Sequence, residues 1–396
     1  MRAAGSVRYT WVVTTELLRA LNGPSWNLPG APVRRIAVED RPAWLVTKYR
    51  DVSDALSGCY PLVLSPSCAD GSDYGGFLLP AELAQHLLAL DGPQHARLRG
   101  LVAPSLSARR LTELSPAITD HAHRLVTALG ETSQRPVDLV RSLVAPLPIE
   151  VIADLVGLPA SAHSALTEWA ARLLGPSGAE QGQRGRDSLG EMTRFLAQAI
   201  ESSDACPPGM LADLRAAHRD GSCSRTELLS MLFYLVFVFF EVAVDAGAAV
   251  LLRLLNSPQA ATFASEARSH AIDEVLRYDA PQLLAAPRFA SEDFELVGEQ
   301  IRAGQTVLLS LAEANRDPEV FNDPHQLDLT RRPNPHLSLG RGTHACPAAS
   351  LTRQLLDATV SSLFDQYPHL TLAEADPPMR GNFRHRGPER LLAELT

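Results

Sequence analysis

The chain has 396 residues, of which 45% are hydrophobic and 20% charged, so it can bury a large core. Its net charge of -9 and isoelectric point near 5.8 argue against a nucleic-acid partner, because phosphate backbones attract clusters of Lys and Arg. The five cysteines include no C-x-x-C pair and fit neither a disulfide framework nor a zinc motif, which favours a reducing compartment.

The first predicted elements are strands. Residues 33–65 contain the run PVRRIAVEDRPAWLVTKY, in which two strand-like segments flank an acidic turn. The segment before them, MRAAGSVRYTWVVTTELLRAL, lacks the basic region, apolar core and cleavage site of a secretory signal. We therefore expect a cytoplasmic protein with a small sheet near its N-terminus.

From about residue 80 to residue 275 the pattern is helical. Segments such as PLPIEVIADLVGL and MTRFLAQAI place apolar residues three and four positions apart, which is typical of helices with one buried face. The segment 175–191, GPSGAEQGQRGRDSLGE, is rich in Gly, Ser and charge. It predicts a mobile loop between two of these helices.

The longest predicted helix follows Ser224. Ser224 and Glu227 form a capping-box pattern, after which helical sequence continues to Asn256. Its middle, MLFYLVFVFF, is apolar on all sides, which indicates a helix inside the core. The apolar stretch is shorter than the roughly 20 residues that cross a bilayer, so we expect no membrane partner. Such a helix either lines an internal cavity or serves only as core structure.

Strand-like runs return in residues 283–312, where FELVGEQIRAGQTVLLSL precedes a final helix. No internal repeat or linker interrupts the chain. The predicted fold is therefore mainly α with small β-sheets. We expect a single domain over residues 1–396, with 33–65 and 283–312 contributing the sheet region.

The segment HLSLGRGTHACPAASLTR, residues 336–353, has the strongest chemical signal. Gly340 and Gly342 permit a tight loop that approaches a flat ligand closely. Cys346 precedes a predicted helix with Pro347 at its first position. The positive end of that helix should lower the pKa of the Cys346 thiol, and the resulting thiolate is the form that binds iron.

This segment resembles the haem-binding signature of cytochromes P450, F-G-x-G-x-H-x-C-x-G. The residues in register are Gly340, Gly342, His344 and Cys346. The resemblance implies haem b, iron protoporphyrin IX, with its iron bound by the Cys346 thiolate, which favours O–O cleavage. It also implies the cytochrome P450 fold, with haem between the long central helix and the helix after the cysteine. Leu339 and Ala348 depart from the usual Phe and Gly, and the loss of the Phe alters the shielding of the sulfur.

Two further elements extend the resemblance. Glu274 and Arg277 match the E-x-x-R element, whose ion pair braces the loop that contains the cysteine. The haem propionates need cationic or hydrogen-bonding partners. The resemblance assigns that role to these residues: His95, Arg99, Arg288 and His344.

The central helix departs from the family pattern A-G-x-[DE]-T. The matching residues are 238–242, where only the acid, Glu241, remains as a catalytic candidate. Val242 cannot relay a proton as the usual Thr does, and Phe239 replaces a Gly that leaves room for dioxygen. No Ser or Thr lies between Ser230 and Ser257, so a shift in alignment does not restore the motif.

Three functions fit this sequence. The first is a haem-thiolate monooxygenase that uses a substrate hydroxyl, or Glu241 with water, in place of the Thr. The second is a haem-thiolate enzyme of altered chemistry, such as peroxide-driven oxidation, oxidative coupling or a redox-neutral rearrangement. The third is a non-catalytic cytochrome P450-like partner protein that activates another enzyme, such as a glycosyltransferase.

The expected substrate is a fairly large hydrophobic small molecule, as in natural-product tailoring. This expectation rests on Leu283, Leu284 and Ala285, which the resemblance places at the pocket, although core packing explains them nearly as well. Ferredoxin and ferredoxin reductase are the expected electron donors unless peroxide drives the reaction. A ferredoxin would dock near Arg341 and Arg353, although ordinary solvated charge also explains these two residues.

Overall fold

The computed structural model describes residues 31–38, 41–75, 79–158, 165–169, 181–201, 207–257, 265–381 and 385–395. Its α-helices are, in chain order, α1 (Tyr49–Leu56), α2 (Gly92–Val102), α3 (Ala108–Glu131), α4 (Pro146–Val156), α5 (Gln181–Glu201), α6 (Met210–Arg219), α7 (Arg225–Leu255), α8 (Ser265–Tyr278), α9 (Leu311–Ala314) and α10 (Ala349–Gln366). Residues 165–169 are also helical. Shorter turns of helix lie at Pro66–Cys68, Ala81–Leu83, Pro104–Leu106, Val140–Val144 and Gly342–His344.

The strands are short and belong to several small sheets. They are β1 (Val33–Val38), β2 (Arg41–Val46), β3 (Leu62–Val63), β4 (Val137–Asp138), β5 (Arg288–Ala290), β6 (Phe294–Leu296), β7 (Glu299–Ile301), β8 (Thr306–Leu309), β9 (Thr371–Leu372), β10 (Met379–Gly381), β11 (Arg386–Pro388) and β12 (Leu392–Glu394). The mainly α fold with small sheets is as the sequence predicts.

The largest sheet joins the two predicted sheet regions. Its strand order is β1-β2-β8-β5-β3. β2 and β8 pair in parallel, with Trp44 opposite Val307 and Val46 opposite Leu309, whereas the other pairs are antiparallel. The remaining sheets are β4-β12-β9 and the pairs β6-β7 and β10-β11. Because β8 lies beside β2, residues more than 250 positions apart in the sequence share one sheet.

Helix α7 is the centre of the core. The predicted capping box is present, since the Ser224 hydroxyl accepts from the backbone N–H of Glu227 and the Glu227 carboxylate accepts from that of Ser224. Helices α3, α4, α5, α8 and α10 contribute apolar side chains to the same large core cluster. By length and composition α7 could cross a membrane, but 72% of its most apolar window is buried inside the protein. Its hydrophobicity is therefore explained by core packing.

The predicted loop at residues 175–191 is wrong over 181–191. Helix α5 begins at Gln181, and the rest of the predicted loop lies outside the described residues. Each glycine within a helix lowers its stability by about 1 kcal/mol relative to alanine, so the glycine-rich composition favoured a loop. Met192 and Leu196 are nevertheless buried in the core cluster, and the packing of this apolar face stabilises the whole helix.

Candidate active site

The cysteine loop (residues 336–348) is a compact series of turns. Gly340 and Gly342 have φ angles of +70° and +71°, which residues with a side chain rarely adopt. A Cβ atom on Gly342 would lie 2.5 Å from the Leu56 carbonyl oxygen at the end of α1. The backbone N–H of Cys346 donates to the Leu339 carbonyl at 2.8 Å. The glycines therefore let the loop close against α1 with Cys346 in a fixed position.

The predicted helix start at Pro347 is wrong by two residues, because α10 begins at Ala349 with Ala348 as its N-cap. The predicted lowering of the Cys346 pKa is also wrong. Burial raises the pKa of this thiol, although a backbone hydrogen bond from Ala348 and the charges of Arg99 and Arg353 act in the opposite direction. A sulfur buried in this way requires a strong cationic partner to be a thiolate.

The predicted Glu274–Arg277 pair is formed, and both residues are 0% exposed. Nε and Nη2 of Arg277 each donate to the Glu274 carboxylate at 2.8 Å. Arg331, which sequence reasoning missed, donates from Nε to both carboxylate oxygens at 3.1 Å. The Asn334 side chain and the Asp328 backbone N–H supply further donors. This network fastens α8 to the segment that precedes the cysteine loop.

A second missed network connects that ion pair to the cysteine loop itself. Nη1 of Arg277 donates to the Asn315 carbonyl at 2.8 Å. The Asn315 side chain donates to Ser338 Oγ and accepts from the Leu337 backbone N–H, both at 2.7 Å. Ser338 Oγ donates to the Leu276 carbonyl at 2.6 Å. The bracing role expected of Glu274 and Arg277 therefore reaches the loop through Asn315 and Ser338.

Two predicted cofactor-binding residues, His95 and His344, lie side by side with ring centroids 4.1 Å apart. Within the described part of the chain, neither ring nitrogen of His95 and not Nδ1 of His344 has a hydrogen-bond partner. Nε2 of His344 lies 3.2 Å from the Asp91 carboxylate. Burial, followed by the charges of His344 and Arg99, lowers the pKa of His95 to about 4. Its imidazole is therefore neutral near pH 7 and can donate one hydrogen bond.

The two predicted arginines lie close to the same loop. Nη2 of Arg99 donates to the carbonyl of Ala345 at 2.9 Å, next to Cys346. Arg288 is 4% exposed, and its one described side-chain bond is to the Ala286 carbonyl at 3.1 Å. Burial lowers the pKa of Arg288 to about 10, so the side chain remains charged at neutral pH. A buried cation with so few acceptors is suited to an anionic ligand.

A cavity with an empty volume of about 930 Å³ lies between α7 and the cysteine loop. Its lining from these two elements consists of Tyr234, Leu235, Val238, Phe239, Val242, Ala243, Ser338, Leu339, Gly340, His344, Cys346, Pro347 and Ala348. Arg288 also contributes to the wall. The structure therefore brings the sulfur and two of the predicted propionate partners to one cavity.

The distal wall of this cavity, defined by Val238, Phe239 and Val242 on α7, is apolar. Glu241 is not part of the lining. It projects from another side of α7, where its Oε2 lies 3.8 Å from Nε2 of His385. The predicted acid is thus one residue away from the cavity wall, and the wall itself has no group that can donate a proton.

Sequence reasoning missed two polar residues of the cavity, Tyr234 and Gln282. The Tyr234 ring stacks on that of His86 at 5.1 Å. Of the three predicted pocket residues, Ala285 lines the cavity. The placement of Leu283 and Leu284 is wrong, because both are buried in a separate core cluster with strands β1 and β2.

The arrangement fits a haem. His95 and His344 each have an unpaired ring nitrogen that can donate one hydrogen bond, and the buried charge of Arg288 requires an acceptor; haem has two carboxylates that can accept from them. Cys346 lines the same cavity and can supply a thiolate to iron. The site therefore has partners for both the metal and the anionic edge of the macrocycle.

The comparisons with known proteins agree with this geometry. The family profile described as "Cytochrome P450" matches residues 269–383. Vitamin D(3) 25-hydroxylase of Pseudonocardia autotrophica is 32% identical over 355 residues, which cover 86% of this chain and 85% of that protein. The chain belongs to the cytochrome P450 family. Its resemblance in the cysteine segment is thus one part of a relationship that extends over most of the chain.

Two more relatives of this cytochrome P450 support the assignment. Mycinamicin IV hydroxylase/epoxidase of Micromonospora griseorubida is 32% identical, with 85% of both chains covered. The structure of the bacillaene polyketide synthase cytochrome P450 PksS of Bacillus subtilis has a TM-score of 0.81 at 27% identity and covers 97% of this chain and 96% of that one. This cytochrome P450 is a monooxygenase-type oxidoreductase, and its cofactor is haem, which supplies the iron centre for oxidation.

Proposed function

We propose that this cytochrome P450 oxidises a fairly large hydrophobic natural-product intermediate in the cytoplasm, with residues 1–396 folded as one domain. The observation that supports this most directly is one cavity lined by Cys346, by His344 with its unpaired Nδ1, and by an apolar distal wall. The named relatives act on vitamin D(3), on mycinamicin IV or in the biosynthesis of a polyketide.

Within this proposal Cys346 would supply the thiolate that binds the iron of haem b. His95, Arg99, Arg288 and His344 hold the two propionates. His95 and His344 do so through the nitrogens that have no partner in the described chain, and Arg288 through its buried charge. Arg99 has a second role, because its bond to Ala345 fixes the residue before the cysteine. These donors orient the macrocycle and exclude water from its edge.

The substrate lies against the distal wall. Most of that lining is apolar, which favours a hydrophobic molecule. Within the described part of the chain, the side chains of Tyr234 and Gln282 have no hydrogen-bond partner, so they can bind oxygen atoms of the substrate. A mainly apolar molecule with separated hydroxyl or carbonyl groups satisfies both features.

Electrons come from a ferredoxin and its reductase unless peroxide drives the reaction. The docking face includes Arg341, which is exposed in the cysteine loop, and Arg353, which is half-buried and bound to Asp273 at 2.8 Å. The exposed cation at Arg341 favours an acidic protein partner.

The distal wall favours a second candidate, a non-catalytic partner protein that activates another enzyme such as a glycosyltransferase. Phe239 and Val242 remove the space and the hydroxyl on which the family's oxygen activation depends. Retention of Cys346 together with buried donors for the propionates argues against this candidate, because a helper without haem needs neither feature.

The absorption spectrum of the reduced, carbon monoxide-bound protein tests the proposal. A Soret band at the position of thiolate-ligated haem is the expected result. Purification without haem would contradict it and favour the helper protein. Turnover of a panel of macrolactones and sterols with ferredoxin and reductase, compared with turnover driven by hydrogen peroxide, then identifies the oxidant.

A further inference from the structure

The face of α7 next to the distal wall meets a hairpin from the far end of the chain. The backbone N–H of Arg386 donates to the Pro281 carbonyl, and His385 forms an isolated bridge with Gln282, which lines the cavity. The His385 imidazole lies against α7. Its Nε2 is 3.8 Å from Glu241 Oε2, and its Nδ1 is 3.9 Å from Asp245 Oδ2.

These groups differ in their surroundings. Asp245 is 2% exposed and forms an ion pair with Arg380 of β10, so an adjacent positive charge balances its own. Glu241 is more open, with 27% of its side chain exposed, whereas the His385 side chain is 12% exposed. The imidazole therefore lies between a compensated, buried carboxylate and an accessible one.

The Glu241–His385 pair lies next to a distal wall that lacks a proton donor. Val238, Phe239 and Val242 present no proton donor to the cavity, and α7 has no Ser or Thr between Ser230 and its end. Glu241 is the adjacent titratable group on α7, and histidine is the side chain whose ordinary pKa is nearest to neutral pH. A carboxylate next to an imidazole can hold one proton near neutral pH and pass it on to a reaction that consumes protons.

We propose that His385 is a positioning and proton-holding residue that works through Glu241, in place of the threonine hydroxyl that is absent at Val242. The proton is held at His385 Nε2, and one water across the 3.8 Å gap relays it. The N–H bond at His385 Nε2 breaks and an O–H bond forms at Glu241 Oε2; this O–H bond then breaks as Glu241 releases the proton towards the cavity and returns to a carboxylate. His385 is then reprotonated from solvent. The inference rests on the proposed oxidative function.

The charged groups beside His385 in the described elements include Glu241 and Asp245 of α7 and Arg380 of β10. The Asp245–Arg380 pair is nearly neutral as a unit. The protonation of His385 should therefore respond to the charge of Glu241.

Histidine NMR of the holoprotein tests this pair directly. The ferrous carbon monoxide form of 13C-histidine-labelled protein is diamagnetic, and loss of one resonance in His385→Gln assigns His385. We expect Glu241→Gln to move the His385 titration to lower pH, because a neighbouring negative charge stabilises the imidazolium. The exposed, remote change Glu113→Gln should leave it in place. An unchanged His385 titration in Glu241→Gln would overturn the proposal.

A functional readout separates proton delivery from a structural role. Hydrogen peroxide consumption with a chromogenic reductant is the probe, since it needs proton transfer but no identified substrate. We expect His385→Gln to lower the rate by about 10-fold or more and to remove one limb of the pH–rate profile. His385→Asn, which differs in size, should behave in the same way. If both variants keep the parental pH profile, His385 has only a structural role. Haem content and the carbon monoxide spectrum report separately on the proposed function.

Discussion

The two walls of the cavity differ in their polar groups. On the side of the cysteine loop, the sulfur, the Glu274–Arg277–Arg331 network and the Asn315–Ser338 bonds are all present and buried. On the side of α7, the distal wall is a set of apolar side chains without a hydroxyl. The contrast indicates that geometry for holding haem and geometry for delivering protons are separable within one fold. The first depends on the cysteine loop, and the second depends on a few positions of one helix.

Removal of the Cys346 sulfur should have the largest effect, because it removes the iron ligand from the cysteine-loop side. We expect Cys346→Ala to lose haem or to bind it with altered ligation, because no other cysteine lines the cavity in the described chain. The measurement is haem content together with the carbon monoxide difference spectrum. Cys59→Ala, which removes an exposed thiol, is the matched control and should leave both unchanged. Parental spectra in Cys346→Ala would show that the ligand was misassigned.

The buried ion pair of Glu274 with Arg277 should make a large contribution to the unfolding free energy. Glu274→Gln leaves Arg277 and Arg331 without their counter-charge, which should cost about 3–5 kcal/mol of unfolding free energy. Denaturant titration measures this loss. Glu113→Gln removes exposed pairs with Arg109 and Arg110 and should leave the unfolding free energy almost unchanged, because solvent screens such pairs. Equal losses in the two variants would contradict the bracing role.

Opening the distal wall should change ligand access without disturbing the other side. We expect Phe239→Ala to bind 4-phenylimidazole about 10-fold more tightly, since removal of the ring frees volume in the cavity, and tenfold corresponds to about 1.4 kcal/mol. Spectral titration of the ferric protein gives the affinity. Plain imidazole, which needs less room, is the internal comparison. An unchanged affinity for the larger ligand would mean that Phe239 does not restrict this space.

A smaller effect is expected at a site away from both walls. His121 joins α3 to α4, with Nε2 at 2.8 Å from Asp154 and Nδ1 at 2.9 Å from Glu150. Hydrogen bonds to Asp154 and then Glu150 raise the pKa of His121 to about 9. Since the folded pKa exceeds the ordinary value of 6.5, this stabilisation is complete below about pH 6.5 and is lost as the pH rises through about 9.

We therefore expect the unfolding free energy of the parent protein to fall across that range. His121→Gln should flatten this part of the pH profile and leave the haem spectrum unaltered. Denaturant unfolding at several pH values provides the measurement. A slope that persists in the variant would assign the effect to other groups.

Local signals in the sequence determined much of the fold and part of the site. The capping box of Ser224 and Glu227 and the apolar run after it define α7, because both act between near neighbours. The glycines and cysteine of residues 340–346 define the loop, because its backbone angles exclude most other residues. Haem binding followed from the resemblance of these residues to the cytochrome P450 signature.

Other features depended on contacts that no local pattern contains. Residues 181–191 are helical because the apolar face of α5 packs on the core, despite their glycines. Leu283 and Leu284 pack against the large sheet whereas Ala285 faces the cavity, because the chain's path there, not its composition, sets the direction of each side chain. Glu241 and His385 are 144 positions apart and meet only because the C-terminal hairpin returns to α7. The sequence identified Glu241 as the acid of α7, but only long-range packing determined that His385 lies beside it.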